Sequence, residues 1–392
     1  MGSAAPPRGL RPADRSGGRT ARKHRQARRR KARRTLLTGP ADGPTRCRLP
    51  TNRVLELGAC THAADARRFG KLGFVLAIVC PGQGSQTPGF LAPWLEVPSV
   101  AERLGALGEV AGLDLVAHGT TSDEETIKDT AVAQPLIVAA GIVTAEALFD
   151  VELSELPIVL AGHSVGEITA SALAGVVSAE DAMRFVSVRA QGMARAAAVA
   201  PTGMSAVLGG DREEVLAAIA AAGAEPANVN GGGQIVAAGT FEQLEALAAN
   251  PPAKTRIVPL KVAGAFHTHH MASAVSDLEA LRPSLSVSDP AVPLLSNYDG
   301  APVASGDAAV ASLIAQVSRP VRWDLCMETL ASRGVTGVIE LAPAGTLVGL
   351  AKRGMPGVKT VAVKTPADVA AALELFAADA ESSEARSEEE TV

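Results

Sequence analysis

The chain has 392 residues, 47% of them hydrophobic and 3% aromatic, so a sizeable core has to be built mainly from Ala, Val, Leu and Ile. Its four cysteines show no Cys-x-x-Cys pair, which argues against a disulfide framework or a zinc site and favours a reducing cytoplasm. The formal charge of −4 at pH 7 conceals an acidic body, with 18 Lys and Arg against 37 Asp and Glu after residue 72, which disfavours nucleic-acid binding by the folded portion.

The N-terminal region differs from this body by a strong positive charge, with 19 Lys and Arg against 4 Asp and Glu in residues 1–72. It is rich in Arg, Gly and Pro and shows no apolar periodicity, so we predict that residues 1–73 are a disordered basic extension. Arg33-Arg34 lacks the apolar segment that follows a twin-arginine export signal. A nucleic-acid-binding arm is the alternative, and it rests on the arginine run alone.

From Phe74 onward, apolar strand-like runs alternate with alanine-rich helical ones, the pattern of a mostly parallel α/β sheet. The first run leads into the loop Pro81-Gly82-Gln83-Gly84-Ser85-Gln86, which lacks the Lys-Ser/Thr ending of a P-loop, so phosphate binding there is disfavoured. No apolar run reaches the roughly 18 to 20 residues of a membrane span, so we expect no membrane association.

Residues 162–167 read Gly-His-Ser-Val-Gly-Glu between a strand-like run and a run of helix formers. Such a strand–turn–helix is typical of a nucleophile elbow, in which glycines flank a serine on a sharp turn and free backbone N–H groups face the reacting group. Ser164 is therefore a candidate nucleophile. The alternative, a serine that only caps the following helix, stays open at this point.

Residues 199–263 differ from the rest of the chain in their predicted elements, whose β-α-β-β-α-β order is typical of a ferredoxin-like unit. The predicted elements are a strand at Met204–Leu208, a helix at Arg212–Ala222, strands at Ala227–Asn230 and Gln234–Ala238, a helix at Phe241–Ala248 and a strand at Arg256–Val262. A late strand is predicted at Val338–Leu341, and the acidic, Ser-rich residues 379–392 are predicted to be a disordered tail.

Several motifs occur together in one order: the loop at 81–86, Gln134-Pro135-Leu136-Ile137, the elbow, Arg189, and Gly264-Ala265-Phe266-His267. With them, residues 74–378 resemble the malonyl-CoA:acyl carrier protein transacylases, most closely the actinobacterial fatty-acid-synthesis enzymes. The resemblance implies an α/β fold: a mostly parallel-sheet, α/β-hydrolase-like acyltransferase domain (74–198 and 264–378) with an inserted ferredoxin-like subdomain (199–263).

The resemblance also implies roles for individual residues. Ser164 would be the nucleophile and His267 the general base, since a neutral imidazole can take the hydroxyl proton and return it to the leaving group. The side-chain amide of Gln83 and the backbone N–H of Val165 would form the oxyanion hole. The main-chain carbonyl of Gln316 would orient the histidine.

Substrate contacts are assigned in the same way. Arg189 matches the arginine that binds the malonyl carboxylate, and a guanidinium fork suits that group. Asn230 matches a residue near the family's site, although a turn asparagine is equally plausible. Phe266 would crowd an α-methyl group and so favour malonyl over methylmalonyl.

His269 and His270 are interpreted as surface residues, and no metal is expected.

These roles predict ping-pong transfer of malonyl from malonyl-CoA, through a Ser164 ester, to the phosphopantetheine thiol of holo acyl carrier protein, in the cytoplasm and without a cofactor. Three alternatives remain: a serine hydrolase or thioesterase of the α/β-hydrolase type, a polyketide-pathway acyltransferase, and a non-catalytic module that binds carrier protein. The hydrolase is disfavoured because His267 lies far from the C-terminus.

The start of the natural chain is a further expectation. The family's first strand would begin near Val75, and no methionine occurs between Met1 and Met183. Since a GTG start codon would appear as valine inside an over-extended reading frame, we expect the natural enzyme to begin at or near Val75.

Overall fold

A computed structural model of the chain describes residues 76–149 and 151–377. The predicted basic extension, the expected start at Val75 and the predicted acidic tail lie outside these described residues.

Two sheets organise the described chain, and their strands are numbered in chain order. The strands are β1 (Leu76–Cys80), β2 (Ile158–Gly162), β3 (Thr202–Gly209), β4 (Glu225–Gly231), β5 (Gln234–Thr240), β6 (Thr255–Pro259), β7 (Leu294–Leu295), β8 (Val321–Arg322), β9 (Gly337–Glu340) and β10 (Lys359–Ala362).

The α-helices are α1 (Val100–Ala111), α2 (Leu115–Thr120), α3 (Glu124–Lys128), α4 (Thr130–Leu148), α5 (Gly166–Leu173), α6 (Ala179–Ala197), α7 (Arg212–Ala221), α8 (Phe241–Ala249), α9 (Val275–Leu281), α10 (Gly306–Gln316), α11 (Trp323–Ser332) and α12 (Thr346–Gly354). A further helix occupies residues 369–377.

The larger sheet is parallel throughout, in the order β10-β9-β1-β2-β7. Every residue of β1 and β2 is buried, as expected for central strands covered on both faces. Cys80 pairs with Gly162 at the carboxyl ends of these two strands. The loop after β1 and the turn after β2 therefore meet at one edge of the sheet, where open α/β sheets bind their ligands. The predicted mixed α/β fold with a mostly parallel sheet is confirmed.

Helix α4 corrects one expectation from the sequence. By length and composition it could cross a membrane, so the expectation that no apolar segment is long enough is wrong. However, 78% of its most apolar 18-residue window is buried inside the protein. A helix that is apolar on all sides and packed on all sides is the core helix of a globular domain, so its composition is explained without a bilayer.

The smaller sheet has the order β6-β3-β5-β4-β8. Strands β3 to β6 are antiparallel and alternate with α7 and α8 in the predicted β-α-β-β-α-β order. Strand β6 ends at Pro259 rather than at Val262. The fifth strand, β8, comes from beyond residue 263 and pairs in parallel with β4, so this sheet is shared with the chain outside the predicted subdomain. The domain boundaries at 199 and 263 stay a prediction.

Candidate active site

A strained turn places Ser164 between β2 and α5. Its φ of 55° lies in the left-handed region, which costs free energy for a residue with a Cβ and persists only when its surroundings hold it. The glycines on either side are required by close packing. A Cβ on Gly162 would lie 2.1 Å from the carbonyl carbon of Gly166, and a Cβ on Gly166 would lie 2.1 Å from the Cys80 oxygen. The turn has the geometry of a nucleophile elbow.

His267 lies against this serine. Its Nε2 atom is 2.7 Å from Ser164 Oγ, and its Nδ1 atom is 2.8 Å from the main-chain oxygen of Gln316. A carbonyl can only accept, so Nδ1 carries the proton and Nε2 presents its lone pair to the serine hydroxyl. The three residues predicted to interact are thus brought together across 152 residues of sequence.

Burial sets the charge of the imidazole. The His267 side chain is buried, which lowers its pKa to about 3, and the nearby positive charge of Arg189 acts in the same direction. The ring is therefore neutral at pH 7. A neutral imidazole is the form that can accept a proton from a hydroxyl.

Arg189, on α6, completes the group around Ser164. It is 1% exposed, and its Nη1 donates to Gln134 Oε1 at 2.6 Å while its Nη2 donates to Gln316 Oε1 at 2.9 Å and lies 3.4 Å from Ser164 Oγ. Burial lowers its pKa to about 10, a change that the charge of Glu167 opposes, so the guanidinium stays charged near pH 7.

The hydrogen-bond donors of the Arg189 guanidinium are not all used. Its Nε has no hydrogen-bond partner, and among the described residues no carboxylate forms an ion pair with it. A buried cation without a paired anion is costly unless a ligand supplies the negative charge. Next to a candidate nucleophile, this arrangement fits a substrate that carries an anionic group a short distance from its reacting carbon.

Glu167 lies beneath the site, at the start of α5. It is 2% exposed and accepts hydrogen bonds from the side-chain amide of Gln316 and from the main-chain N–H of Asn297 at 3.1 Å. Burial raises its pKa to about 7. Gln316 therefore has two sets of contacts: its backbone carbonyl binds the histidine, and its side chain connects Arg189 to Glu167.

The two predicted oxyanion donors differ in their surroundings. The side-chain amide of Gln83 is directed to the oxygens of Lys128 and Thr130, both at 3.4 Å, which is long for a hydrogen bond. Val165 is the N-cap residue of α5, where the first N–H groups of a helix have no intrahelical acceptor. Its backbone N–H is thus placed beside Ser164 with the polarity of a helix N-terminus.

Asn230 is connected to the elbow indirectly. Its Oδ1 accepts from His163 Nε2 at 2.8 Å, and its Nδ2 donates to Gln234 Oε1 at 3.1 Å. Burial lowers the pKa of His163, which therefore remains neutral. In the described chain the Asn230 side chain forms no hydrogen bond with Ser164 or Arg189.

The remaining residues singled out in the sequence are Phe266, His269 and His270. Phe266 is buried next to His267 in the core. His269 is exposed and pairs with Glu225, and its ring lies 4.1 Å from that of His270. Among the described residues, no cluster of three His, Cys, Asp or Glu side chains could hold a metal ion.

Asn297 was missed by the sequence analysis although it contacts more of the elbow than any predicted residue. It follows β7 in Leu295-Ser296-Asn297, is 1% exposed, and binds Ser164 and Gly162 through its side chain. An asparagine before Tyr298-Asp299-Gly300 is typical of a turn, so no local signal indicated this role.

A serine–histidine pair at a strained elbow, beside an unpaired buried arginine, defines an acyltransferase-like site. The family model described as "Acyl transferase domain" matches residues 77–379, so the chain belongs to that family. It is 51% identical over 296 residues to the malonyl CoA-acyl carrier protein transacylase of Mycobacterium tuberculosis, covering 75% of this chain and 98% of the relative. It is 34% identical over 309 residues to the Escherichia coli protein of the same name, covering 76% and 99%. These matches place the chain in the malonyl CoA-acyl carrier protein transacylase family.

Solved structures give the same relationship. The crystal structure of MCAT from Mycobacterium tuberculosis is 50% identical with a TM-score of 0.74, over 77% of this chain and 99% of that one. A malonyl-transacylase solved in complex with a type II PKS acyl-carrier protein is 30% identical with a TM-score of 0.71, over 76% and 99%.

Proposed function

We propose that the protein transfers the malonyl group from malonyl-CoA to the phosphopantetheine thiol of acyl carrier protein, for fatty acid synthesis, through an ester on Ser164. The observation that carries this proposal is that a candidate nucleophile lies close to both a candidate base and a buried cation. Ser164 Oγ lies 2.7 Å from the His267 base and 3.4 Å from the Arg189 cation. The relatives named for malonyl transfer support the choice of substrate and of acceptor.

In the first half-reaction, His267 Nε2 takes the Ser164 hydroxyl proton as Oγ attacks the thioester carbon of malonyl-CoA. The tetrahedral intermediate collapses with cleavage of the C–S bond, and the imidazolium returns its proton to the departing CoA sulfur. In the second half-reaction, the carrier-protein thiol gives its proton to the same nitrogen and attacks the ester carbon. Ser164 Oγ leaves and recovers the proton from the imidazolium.

The negative oxygen of each intermediate needs donors. The Val165 N–H is one, because the elbow and the start of α5 aim it at the space beside Ser164. Gln83 is the second. Since its two present acceptors are 3.4 Å away, the side-chain amide can leave them at little cost when a charged oxygen offers a shorter bond.

Arg189 selects the acyl group. The malonyl carboxylate supplies the anion that the buried guanidinium lacks, and acetyl has no such group. Phe266, packed beside His267, limits space for an α-methyl substituent. Asn230 acts through His163 and so supports the elbow instead of contacting the acyl chain.

A serine hydrolase of the α/β-hydrolase type is the second candidate. Against it, the partner of His267 Nδ1 is a peptide carbonyl, whereas hydrolases of that type use an acidic residue. Service to a polyketide carrier protein would use the same chemistry and differ only in the acceptor. We place the protein in the cytoplasm, where its thioester substrates are made.

Transfer and hydrolysis are separated by following the acyl group. Purified protein is mixed with malonyl-CoA and holo acyl carrier protein, and malonyl-carrier and free malonate are quantified by mass spectrometry. We expect malonyl-carrier to be the main product and its formation to need Ser164. Malonate as the main product, with carrier protein in excess, would overturn the proposal in favour of the hydrolase.

A further inference from the structure

Asn297 joins the two ends of the nucleophile elbow. Its Oδ1 accepts a hydrogen bond from the Ser164 N–H at 2.8 Å, and its Nδ2 donates to the Gly162 carbonyl at 2.7 Å. The residue is 1% exposed, so its side-chain amide is buried, and its bond to the Gly162 carbonyl is buried with it. Its own main-chain N–H donates to Glu167, which fixes the asparagine to the first turn of α5.

The two backbone groups need this partner. At Gly162 the strand ladder ends, and at Ser164 the chain takes its left-handed turn. An N–H or C=O buried at such a point without a hydrogen bond keeps the full cost of its removal from water. The strained serine conformation also requires bonds that oppose its relaxation. A primary amide supplies an acceptor and a donor in one planar group, as this turn requires.

The same amide reaches the substrate side of the site. Asn297 Oδ1 also accepts from Gln316 Nε2 at 3.2 Å, and Gln316 Oε1 accepts from Arg189. The asparagine therefore links the nucleophile to the side chain that holds the arginine, without itself touching Ser164 Oγ.

We propose that Asn297 is a positioning residue for acyl transfer: it holds the Ser164 backbone so that Oγ stays within reach of His267 and the next N–H, that of Val165, remains free for the substrate oxygen. This inference rests on the proposed function of Ser164 as the nucleophile. It concerns the rate of the chemical step and not the affinity for substrate, because Asn297 contacts no group assigned to substrate binding except through Gln316.

The first test compares Asn297→Ala with the wild type and with a matched control, Asp181→Ala. Asp181 is also buried and also accepts from a backbone N–H, that of Ser286. Its other hydrogen-bond partners, Ser178 and Arg184, are not site residues. Circular dichroism and thermal melting check folding, and all assays run well below each variant's Tm. Malonyl-CoA is then mixed with each protein in a rapid-quench device, and ester formation is followed by intact mass.

We expect ester formation at saturating malonyl-CoA to slow by about 100-fold in Asn297→Ala, the effect of misplacing reacting groups by about 1 Å, with a half-saturating concentration within about threefold of wild type. Asp181→Ala should react at nearly the wild-type rate. Equal rates for Asn297→Ala and Asp181→Ala would overturn the inference. A wild type that forms no ester would instead overturn the proposed function, and this inference with it.

The variant Asn297→Asp gives a readout that a purely structural role would not move. When ionised, the new carboxylate has no proton for the Gly162 carbonyl, and it faces Glu167, the Cys326 thiol and, through Gln316, the Arg189 guanidinium. When protonated, it regains both a donor and an acceptor. His267 remains neutral at mildly acidic pH because its pKa is about 3.

The rate of Asn297→Asp relative to wild type should therefore rise as the pH falls from about 8 to about 5.5, while the relative rate of Asn297→Ala stays flat. A relative rate for Asn297→Asp that is constant or falls with acid would overturn the inference. The pH dependence of Asn297→Asp tests the inference even if Asn297→Ala does not fold.

Discussion

The Nη2 atom of Arg189 lies 3.4 Å from the Oγ atom of Ser164. In the proposed reaction Ser164 is the nucleophile and Arg189 binds the acyl carboxylate, so their closeness favours a short acyl group that carries a carboxylate. A three-carbon diacid can place its thioester carbon at the serine and its carboxylate at the arginine. Under the same proposal, an acyl group without a carboxylate loses the interaction with Arg189.

Arg189→Met should therefore change selectivity more than it changes chemistry. Methionine keeps much of the buried volume but removes the charge, and loss of a buried charged hydrogen-bonding partner costs about 2–5 kcal/mol, or at least about 30-fold in malonyl loading. Acetyl-CoA has no carboxylate, so its loading should change far less. Initial rates of acyl-enzyme formation with the two thioesters measure this, and equal losses would contradict the carboxylate role.

His267→Ala should slow malonyl transfer by about 10²–10⁴-fold, the usual contribution of a general base. The His269→Ala variant serves as control, since His269 is exposed and pairs with Glu225. It should transfer malonyl at the wild-type rate. Steady-state transfer to holo acyl carrier protein, with circular dichroism of both variants, is the measurement. Near-normal transfer by His267→Ala would mean that another group serves as base.

Glu167→Gln should remove a pH dependence of stability. Burial raises the Glu167 pKa from 4.5 to about 7, so between these values the folded protein keeps a proton that the unfolded chain releases. Wild-type stability from this group is thus lost as the pH rises through that window. The Tm of wild type minus that of the variant should fall between about pH 5 and pH 8. Because both proteins contain His267, its opposite contribution cancels, and a difference that does not fall would refute the assignment.

Gly166→Ala should destabilise the protein by at least about 1–3 kcal/mol, the range for overpacking, because the new Cβ would meet the Cys80 main chain at 2.1 Å. Gly105→Ala is the matched control. Gly105 lies within α1, and apart from the adjacent backbone of that helix an added Cβ would meet nothing within 4 Å, so alanine should stabilise by about 0.5–1 kcal/mol. Urea denaturation of the two variants checks the opposite signs, and similar stabilities would mean that the elbow is less tightly packed than described.

The features that the sequence predicts well are local ones. The Gly-His-Ser-Val-Gly-Glu turn and the elements of residues 199–263 follow from glycine placement and apolar periodicity within short windows. Both occur where expected, except that β6 ends at Pro259, three residues before the predicted end. Composition is a weaker guide. It does not distinguish an apolar helix buried in protein, such as α4, from one buried in lipid.

Contacts between distant segments could not be derived in this way. Asn297 lies 133 residues from Ser164, and Gln134, which was part of a motif without an assigned role, binds Arg189 across 55 residues. Strand β8 joins the smaller sheet from outside the predicted subdomain. Each of these depends on which faces the folded sheet brings together, and no single window of sequence contains that information.

The central claim, a malonyl ester on Ser164, is tested most directly by mapping the modified residue. The protein is incubated with malonyl-CoA, quenched in acid, digested and analysed by tandem mass spectrometry. The account predicts one malonyl group on the peptide that contains Ser164 and none in Ser164→Ala, whose folding is checked by circular dichroism. A malonyl group retained on the folded Ser164→Ala protein, or a wild type that transfers malonyl with no modified Ser164 detectable, would contradict it.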